Sequence, residues 1–409
     1  MQIKSYKSTL SIYDTTDILI IGGGMGAISA AYKLSEQGEK VIIIEDKTFL
    51  GREISSFLRP WEFSITELPI FLKPIFKTCS EGYNQVLNLN LLKQELEELL
   101  VSVGVKIIYM SWPIGIVKQR DRLRGLIIGN KFGRQVILAE KIIDTSNHAF
   151  VANELGIPVK EREFTEYKAL FTLEFKDVKQ ENLEIKPYTG IKLKIHPGYG
   201  RPGHLYLECS LALNKKINGE MNLKNQVLKK SKQVAEDLLA HHNDFEKAAL
   251  VGSSYEIAYV DFKKVIAKPS TLKGSFIYDN KEFNLASFTF DDPYLYILGT
   301  AADLECEKAE LMLNPVCSAL AGVLLGLEIA ELDFDNRGLD ALTVYFNQQD
   351  MIDGLKDNQP EETYQIAEQN SPCPGKVYPQ MEIDEQILTV LEKADVVVVG
   401  GGPVVLVQP

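Results

Sequence analysis

Apolar residues recur along this chain in short unbroken runs. The first strong run, Ile18 to Ile21, stops abruptly at Gly22-Gly-Gly-Met-Gly26. A short apolar run bounded by glycine is the pattern of a strand buried on both faces. Good helix formers follow from Ala27 to Gln37 and are closed by Gly38, after which Lys40 to Ile44 is a second buried run ending in Glu45-Asp46. Two buried strands joined by a helix predict a right-handed parallel βαβ unit.

Further along, Pro60, Pro69 and Pro74 break up residues 51–80, and Asn88 is placed to cap an amphipathic helix from Leu89 to about Val103. A strand is expected over Val105 to Met110. From Ile114 to Asp144 short runs separated by turn residues predict a β-meander feeding a return strand. Beyond Pro158 the alternation in Ala169 to Phe175, Ile191 to Ile195 and His204 to Leu213, with a helix near Asn225 to Leu239, predicts a separate α+β domain. Tyr294 to Leu298 is again a buried strand, and a helix should begin at Asn314-Pro315, a capping residue followed by Pro at the first helical position. From about Gln349 polar residues and prolines dominate, and Asp395-Val-Val-Val-Val-Gly-Gly-Gly-Pro403 repeats the pattern of Asp17 to Met25 without room for the helix. The predicted organisation is a nucleotide-binding domain in two parts, 15–157 and 291–348, around a substrate domain at 158–290, with 349–409 as linker and truncated repeat.

Composition narrows the partners. With 44 Lys and Arg against 56 Asp and Glu, the formal charge of −12 disfavours nucleic acid or an anionic membrane, both of which recruit basic surfaces. A small-molecule substrate is expected instead. The five cysteines (Cys79, Cys209, Cys306, Cys317 and Cys373) form no CxxC pair, and no His stands at metal-ligand spacing, so neither a metal site nor a disulfide framework is expected. Met1 to Tyr13 has no apolar core of the signal-peptide kind, and the greasiest stretch, Leu311 to Ala330, is interrupted by Asn314, Pro315, Ser318 and Glu328. A cytoplasmic location is the expectation.

The glycine turn carries the clearest chemistry. Gly22 permits a tight turn, Gly24 lets backbone approach a pyrophosphate, and the helix beyond supplies N–H groups and a positive dipole end. Ala27 stands at the third glycine position, which tolerates it. Glu45 follows Gly22 at close to the spacing of about 20 residues where an acid accepts hydrogen bonds from ribose hydroxyls.

The blocks Asp17 to Glu45, Phe49-Leu-Gly-Arg-Glu53, Lys141-Ile-Ile-Asp-Thr-Ser146, Leu295-Tyr-Ile-Leu-Gly299 and Asn314-Pro-Val-Cys-Ser-Ala-Leu320 occur in an order that resembles bacterial FAD-dependent oxidoreductases. These belong to the glutathione-reductase-like flavoprotein superfamily, and the subgroup most similar often carries the label xanthan lyase. The resemblance implies an α/β protein whose FAD-binding doubly wound parallel sheet has a β-meander insertion and a second α+β substrate domain. It implies that Gly22, Gly24, Gly26, Glu45 and Asp46 hold the ADP part of FAD, and that Gly51, Arg52 and Asp144 lie near the pyrophosphate or flavin. It further implies that Gly299, Asn314 and Pro315 close over the isoalloxazine. Arg52 stands where that family usually has a second glycine, and Asp144-Thr-Ser-Asn147 where it usually reads Asp-Ala-Thr-Gly.

Disulfide reduction is excluded, because no cysteine precedes Cys79, and a second nucleotide fingerprint for NAD(P)H is missing between residues 60 and 390. For catalysis, Arg201 and His204 stand out in the Gly- and Pro-rich stretch Lys192 to Tyr206, where they would clamp a carboxylate and move a proton. A solvated hairpin accounts for the same stretch. His148, Arg59 and Trp61 are further candidates for the flavin face, with structural packing as the competing explanation, and Cys317 reads as an apolar filler. The expected function is hydride transfer between a small organic substrate and N5 of FAD. The alternatives are a non-catalytic FAD-binding half of a tandem protein and an NAD-dependent Rossmann enzyme. A homo-oligomer or a partner flavoprotein module fits the exposed repeat.

Overall fold

The computed structural model describes residues 8–332 except 82–84, 120–121, 164–166, 180–184, 186–187, 189, 213–219, 269–271 and 291, together with short strands at 2–4, 342–345, 362–363, 380–383 and 387–389. The repeat at 395–403 lies outside the described residues.

The βαβ unit forms as its pattern predicts. Strand β1 (Ser8–Ile21) leads through the glycine turn into helix α1 (Met25–Glu36), and β2 (Val41–Ile44) is four β-branched residues, all buried. β1 begins well before its apolar run, because its polar first half is held by antiparallel pairing with Gln380–Ile383 and by parallel pairing with the later strand Gly133–Asp144. After a short helix α2 (Arg52–Ser55) and helix α3 (Leu89–Ser102) comes β3 (Lys106–Ile108). Asn88 caps α3 by accepting from Asn90 N at 3.1 Å and Leu91 N at 3.2 Å.

The meander is β4 (Trp112–Gln119), β5 (Arg122–Asn130) and β6 (Gly133–Asp144), antiparallel in turn. β6 is one strand where the apolar pattern shows two runs. The intervening Glu140 is buried in the sheet, where Arg122 and Arg124 both donate to its carboxylate. The first half of β6 pairs with β5, while its second half pairs in parallel with strand β12 (Leu295–Ile297). The parallel order β3-β2-β1-β6-β12 is thus assembled from segments far apart in the chain, and Leu342–Tyr345 adds to the edge at β4. One face of this sheet carries α1 and helix α5 (Pro315–Ala330), which cross closely because Gly322 and Gly326 of α5 abut Gly26 and Ala30 of α1.

A second core is built on an antiparallel sheet of β7 (Lys168–Lys176), β8 (Ile191–Pro197), β9 (Leu205–Ala212), β10 (Ala249–Ser253) and β11 (Ala258–Tyr259), in the order β8-β9-β7-β10 with β11 also on β7. Helix α4 (Glu220–His241) covers it with Leu223, Val227, Val234 and Leu238, against Phe171, Phe175 and Leu207. The hairpin Ser275–Tyr278 and Lys281–Asn284 packs differently. Its Phe283, with Leu285 and Phe288 just beyond, joins the first core beside α5. The fold is α/β.

Candidate functional site

The ends of β1, β2 and β6 open onto a cavity of about 230 Å³ whose lining includes the glycine turn, Glu45, Arg52 and the Gly299 segment after β12. This is where a doubly wound sheet places a ligand, beyond the carboxyl ends of its strands where the strand order reverses. Gly22 has φ +93°, and a Cβ there would stand 2.5 Å from Thr145 Oγ1. One on Gly24 would stand 2.8 Å from Glu53 Oε1. Both positions keep the turn open only because they are glycine.

The acid after β2 is tied to that turn. Glu45 accepts from Gly23 N and, at 3.0 Å, from Lys47 N. Burial pushes the Glu45 carboxyl well above the carboxylate range. Burial also opposes ionisation of Asp46, but its hydrogen bonds with Glu45 and Lys47 outweigh this and hold it below its ordinary value. Arg52 reaches Asn147 Oδ1 at 2.6 Å and Glu256 Oε2 at 3.0 Å. Gly51, in the left-handed region at φ +79°, stands behind the turn and donates to Gly23 O at 2.8 Å.

Asp144 does not face the cavity. Its buried carboxylate accepts from Ser146 N and Val151 N, each at 2.9 Å, and so shapes the turn that carries Thr145 to His148 along the wall. Asn314 caps α5 by accepting from Val316 N at 2.9 Å and Cys317 N at 3.4 Å, while its Nδ2 donates to Glu62 Oε1 at 3.1 Å. Pro315 opens α5 but lines no cavity described here, and the Cys317 thiol is a buried filler whose ionisation burial suppresses.

A second cavity, about 340 Å³, lies between the two cores. Arg59, Glu62 and Asn314 form one side, and Lys168, Leu170 and Ala258 of the antiparallel sheet, with the flanking Tyr167 and Val260, form the other. Leu313 borders both cavities.

The residues expected to handle substrate are not gathered here. Arg201 is exposed and paired with Asp177 at 3.0 Å, and His204 is buried with Nε2 on Glu174 Oε1 at 2.8 Å and Nδ1 against Tyr199 O. Neither borders the two cavities. The antiparallel register of β9 on β7, with Tyr206 opposite Glu174, turns that loop toward Glu174 instead. His148 and Arg59 do reach the cavities, while Trp61 stacks on His196 with ring centroids 3.8 Å apart.

Three residues without an assigned role in the sequence reading belong to the site: Glu53, Ser318 and Glu256. Glu53 Oε2 accepts from Met25 N at 2.8 Å, its Oε1 accepts from Ser318 Oγ at 2.9 Å, and Ser318 Oγ accepts from Gly26 N at 3.0 Å. The acid two places after Gly51 was the available signal for Glu53, but nothing local announced which helix it would meet.

A glycine turn feeding a helix, an acid at the next strand's end and a cavity lined by both define a dinucleotide-binding α/β protein. Residues 17–189 match the model of the FAD dependent oxidoreductase family. That segment is similar to this family, and the cofactor is FAD. The residues fit that group: Gly22 and Gly24 carry no Cβ into the turn, the space beside Gly24 being bordered by the Glu53 carboxylate, and Glu45 lies within the same cavity for the ribose. Thiamine thiazole synthase of Aeropyrum pernix is 20% identical over 171 residues, 38% of this chain, and the chain spans 63% of that protein's length. Among solved structures, a geranylgeranyl bacteriochlorophyll reductase-like protein of Thermoplasma acidophilum is 16% identical, with a TM-score of 0.48 over 78% of this chain and 79% of that one. The p-nitrophenol 4-monooxygenase of Pseudomonas putida DLL-E4 is 14% identical, with a TM-score of 0.46 over 78% and 82%. Among the described residues, no helix is long and apolar enough to cross a membrane.

Proposed function

We propose that this chain passes a hydride between a small organic substrate in the second cavity and N5 of FAD in the first. The observation that carries this reading is Leu313, which borders both cavities immediately before the Asn314-Pro315 start of α5. When bound, FAD supplies the hydride chemistry itself. The chain's part is to bind, orient and balance charge.

The amino end of α5, capped by Asn314, directs its positive dipole end toward the junction of the cavities, favouring negative charge that develops there. Arg59 brings a guanidinium into the second cavity and is oriented by Glu208 at 2.9 Å and Glu62 at 3.2 Å. Leu170, Ala258, Val260 and Leu311 give that cavity apolar walls, which suits a small organic molecule with one polar end. His148 lines the first cavity, with Nδ1 2.6 Å from Asp261 Oδ2. An imidazole steadied by a carboxylate is suited to take up or deliver the proton that accompanies hydride transfer. Arg201 and His204 have no place in this reading.

The test is anaerobic bleaching of the FAD-loaded chain by a panel of small alcohols, amines and hydroxy acids. At least one compound should bleach the flavin, and Arg59→Met should slow that bleaching tenfold or more while leaving the resting flavin spectrum unchanged. If no compound bleaches the flavin, or if Arg59→Met reacts at the parent rate, the reading fails.

A further inference from the structure

The start of α1 is already occupied by an anion of the chain's own. Glu53 lies in the gap that Gly24 leaves open, with one carboxylate oxygen on Met25 N and the other on Ser318 Oγ, which in turn receives Gly26 N. These are the N–H groups and the open glycine face that a glycine turn offers to a dinucleotide's diphosphate. Glu53 is 8% exposed and packed between α1 and α5, so it has little room to swing aside. We propose that Glu53 borders the diphosphate position and that FAD binds with Glu53 protonated, one proton being taken up from solvent as each cofactor loads and returned when it leaves.

The charges around the cavity favour this coupling. Glu45, Asp46, Glu53 and Glu256 face only Lys47 and Arg52 as fixed cations, with His148 on the same wall. Lys47 lies 3.3 Å from Glu256 and 3.5 Å from Glu45, and Arg52 turns to Glu256 at 3.0 Å, so neither cation is directed at Glu53. The first turns of α1 and α5 bring no acid, and α5 adds only the buried Cys317. Asp144, behind the wall, is engaged by its own turn. Burial itself already shifts Glu53 toward the neutral form, against the pull of the Met25 N–H, Arg52 and Ser318. A diphosphate brought to the same helix start would add like charge within a few ångströms of a carboxylate. Protonation removes that repulsion and gives Glu53 an O–H to donate to a phosphate oxygen.

The inference rests on the reading of this cavity as an FAD site, and the experiment separates the two. FAD is titrated into the cofactor-stripped chain between pH 6 and 8.5, with flavin fluorescence as readout, for the parent and for Glu53→Gln. Protons exchanged by the parent are counted calorimetrically at pH 8 in buffers of different ionisation enthalpy. Relative to Glu53→Gln, the affinity of the parent should fall by up to tenfold per pH unit across the upper part of this range. At pH 8 the variant should bind FAD at least tenfold more tightly. The proton count should approach one, and ADP, which keeps the diphosphate, should give the same uptake. Adenosine, which keeps the adenine and the ribose facing Glu45 but lacks the diphosphate, records any proton exchanged by Glu45, and the uptake with FAD and ADP should exceed that baseline by about one proton. Equal pH profiles for parent and variant, or no proton uptake with FAD and ADP beyond that baseline, overturn the proposal while leaving the FAD site intact. Absence of FAD binding by either chain at every pH overturns both. The count on the unmodified parent decides the matter even where Glu53→Gln folds poorly.

Discussion

Replacing Gly322 with alanine adds one methyl group at the closest approach of α5 to α1. An ideal Cβ there stands 2.1 Å from Gly26 O, 2.8 Å from Gly26 C and 2.9 Å from Gly26 Cα, all backbone atoms that cannot rotate away. Restoring an ordinary contact of about 3.5 Å requires the helices to part by roughly 1 Å. Alanine returns about 1 kcal/mol through its better helix propensity. Overpacking a dense core costs about 1–3 kcal/mol, and the upper part of that range, about 2–3 kcal/mol, applies where the neighbour is backbone that cannot rotate away. The net expectation is a loss of about 1–2 kcal/mol. The same separation stretches the Gly26 to Ser318 to Glu53 link, so FAD affinity should fall as well. Gly326 supplies an internal scale, because its Cβ would stand 3.0 Å from Ala30 O and 3.2 Å from the Lys33 side chain. Gly326→Ala should therefore be close to neutral. Urea unfolding of the parent and both variants, followed by tryptophan fluorescence and far-ultraviolet circular dichroism, measures these differences. A Gly322→Ala chain as stable as the parent, or a Gly326→Ala chain that loses more, would refute the reasoning.

Two further outcomes follow from other buried groups. Arg162 spreads its guanidinium over five backbone carbonyls, those of Leu304 (3.1 Å), Asp261 (2.9 Å), Lys263 (2.9 Å), Ala302 (2.8 Å) and Thr300, and so ties the segment after β12 to residues 261–263. Arg162→Lys has too few donors to replace this fork and should cost about 3 kcal/mol, with faster amide exchange over residues 299–304; unchanged exchange would count against the clamp. His196 is held down to about 4 by burial, then by Lys194 and Arg59. The unfolded chain therefore takes up this proton near pH 6.5 while the folded chain resists it. The associated stability is complete above about pH 6.5 and is lost as pH falls toward 4, by about 1–2 kcal/mol after screening. His196→Phe should keep the stack on Trp61 and flatten that acid limb, read as the urea midpoint at pH 5 against pH 7.5; equal acid losses in the two chains would reject the assignment.

The amino-acid sequence by itself determined the features whose causes are local. The unbroken runs Ile18 to Ile21 and Val41 to Ile44 are strands because only burial on both faces satisfies them, and both are fully buried. The glycine turn, the cap of Asn88 and the Asn314-Pro315 start of α5 were legible because each is a backbone requirement met within a few residues. Glu45 reached the cavity because its strand leaves it no other end to occupy. What only the tertiary structure decided are meetings between distant segments. Nothing near Glu53 indicates that it will stand on the first turn of α1 and share Ser318 from α5; that follows from the close crossing of α1 and α5, which Gly322 permits. β6 is one strand rather than two because Arg122 and Arg124, one strand away, neutralise the buried Glu140. His204 turned from the cavity for a similar reason, since strand register, not the composition of its loop, set Glu174 beside it. Local pattern specifies the elements because propensity and burial act over a few residues, whereas a side chain's partner depends on the packing of elements that the chain brings together only when it folds.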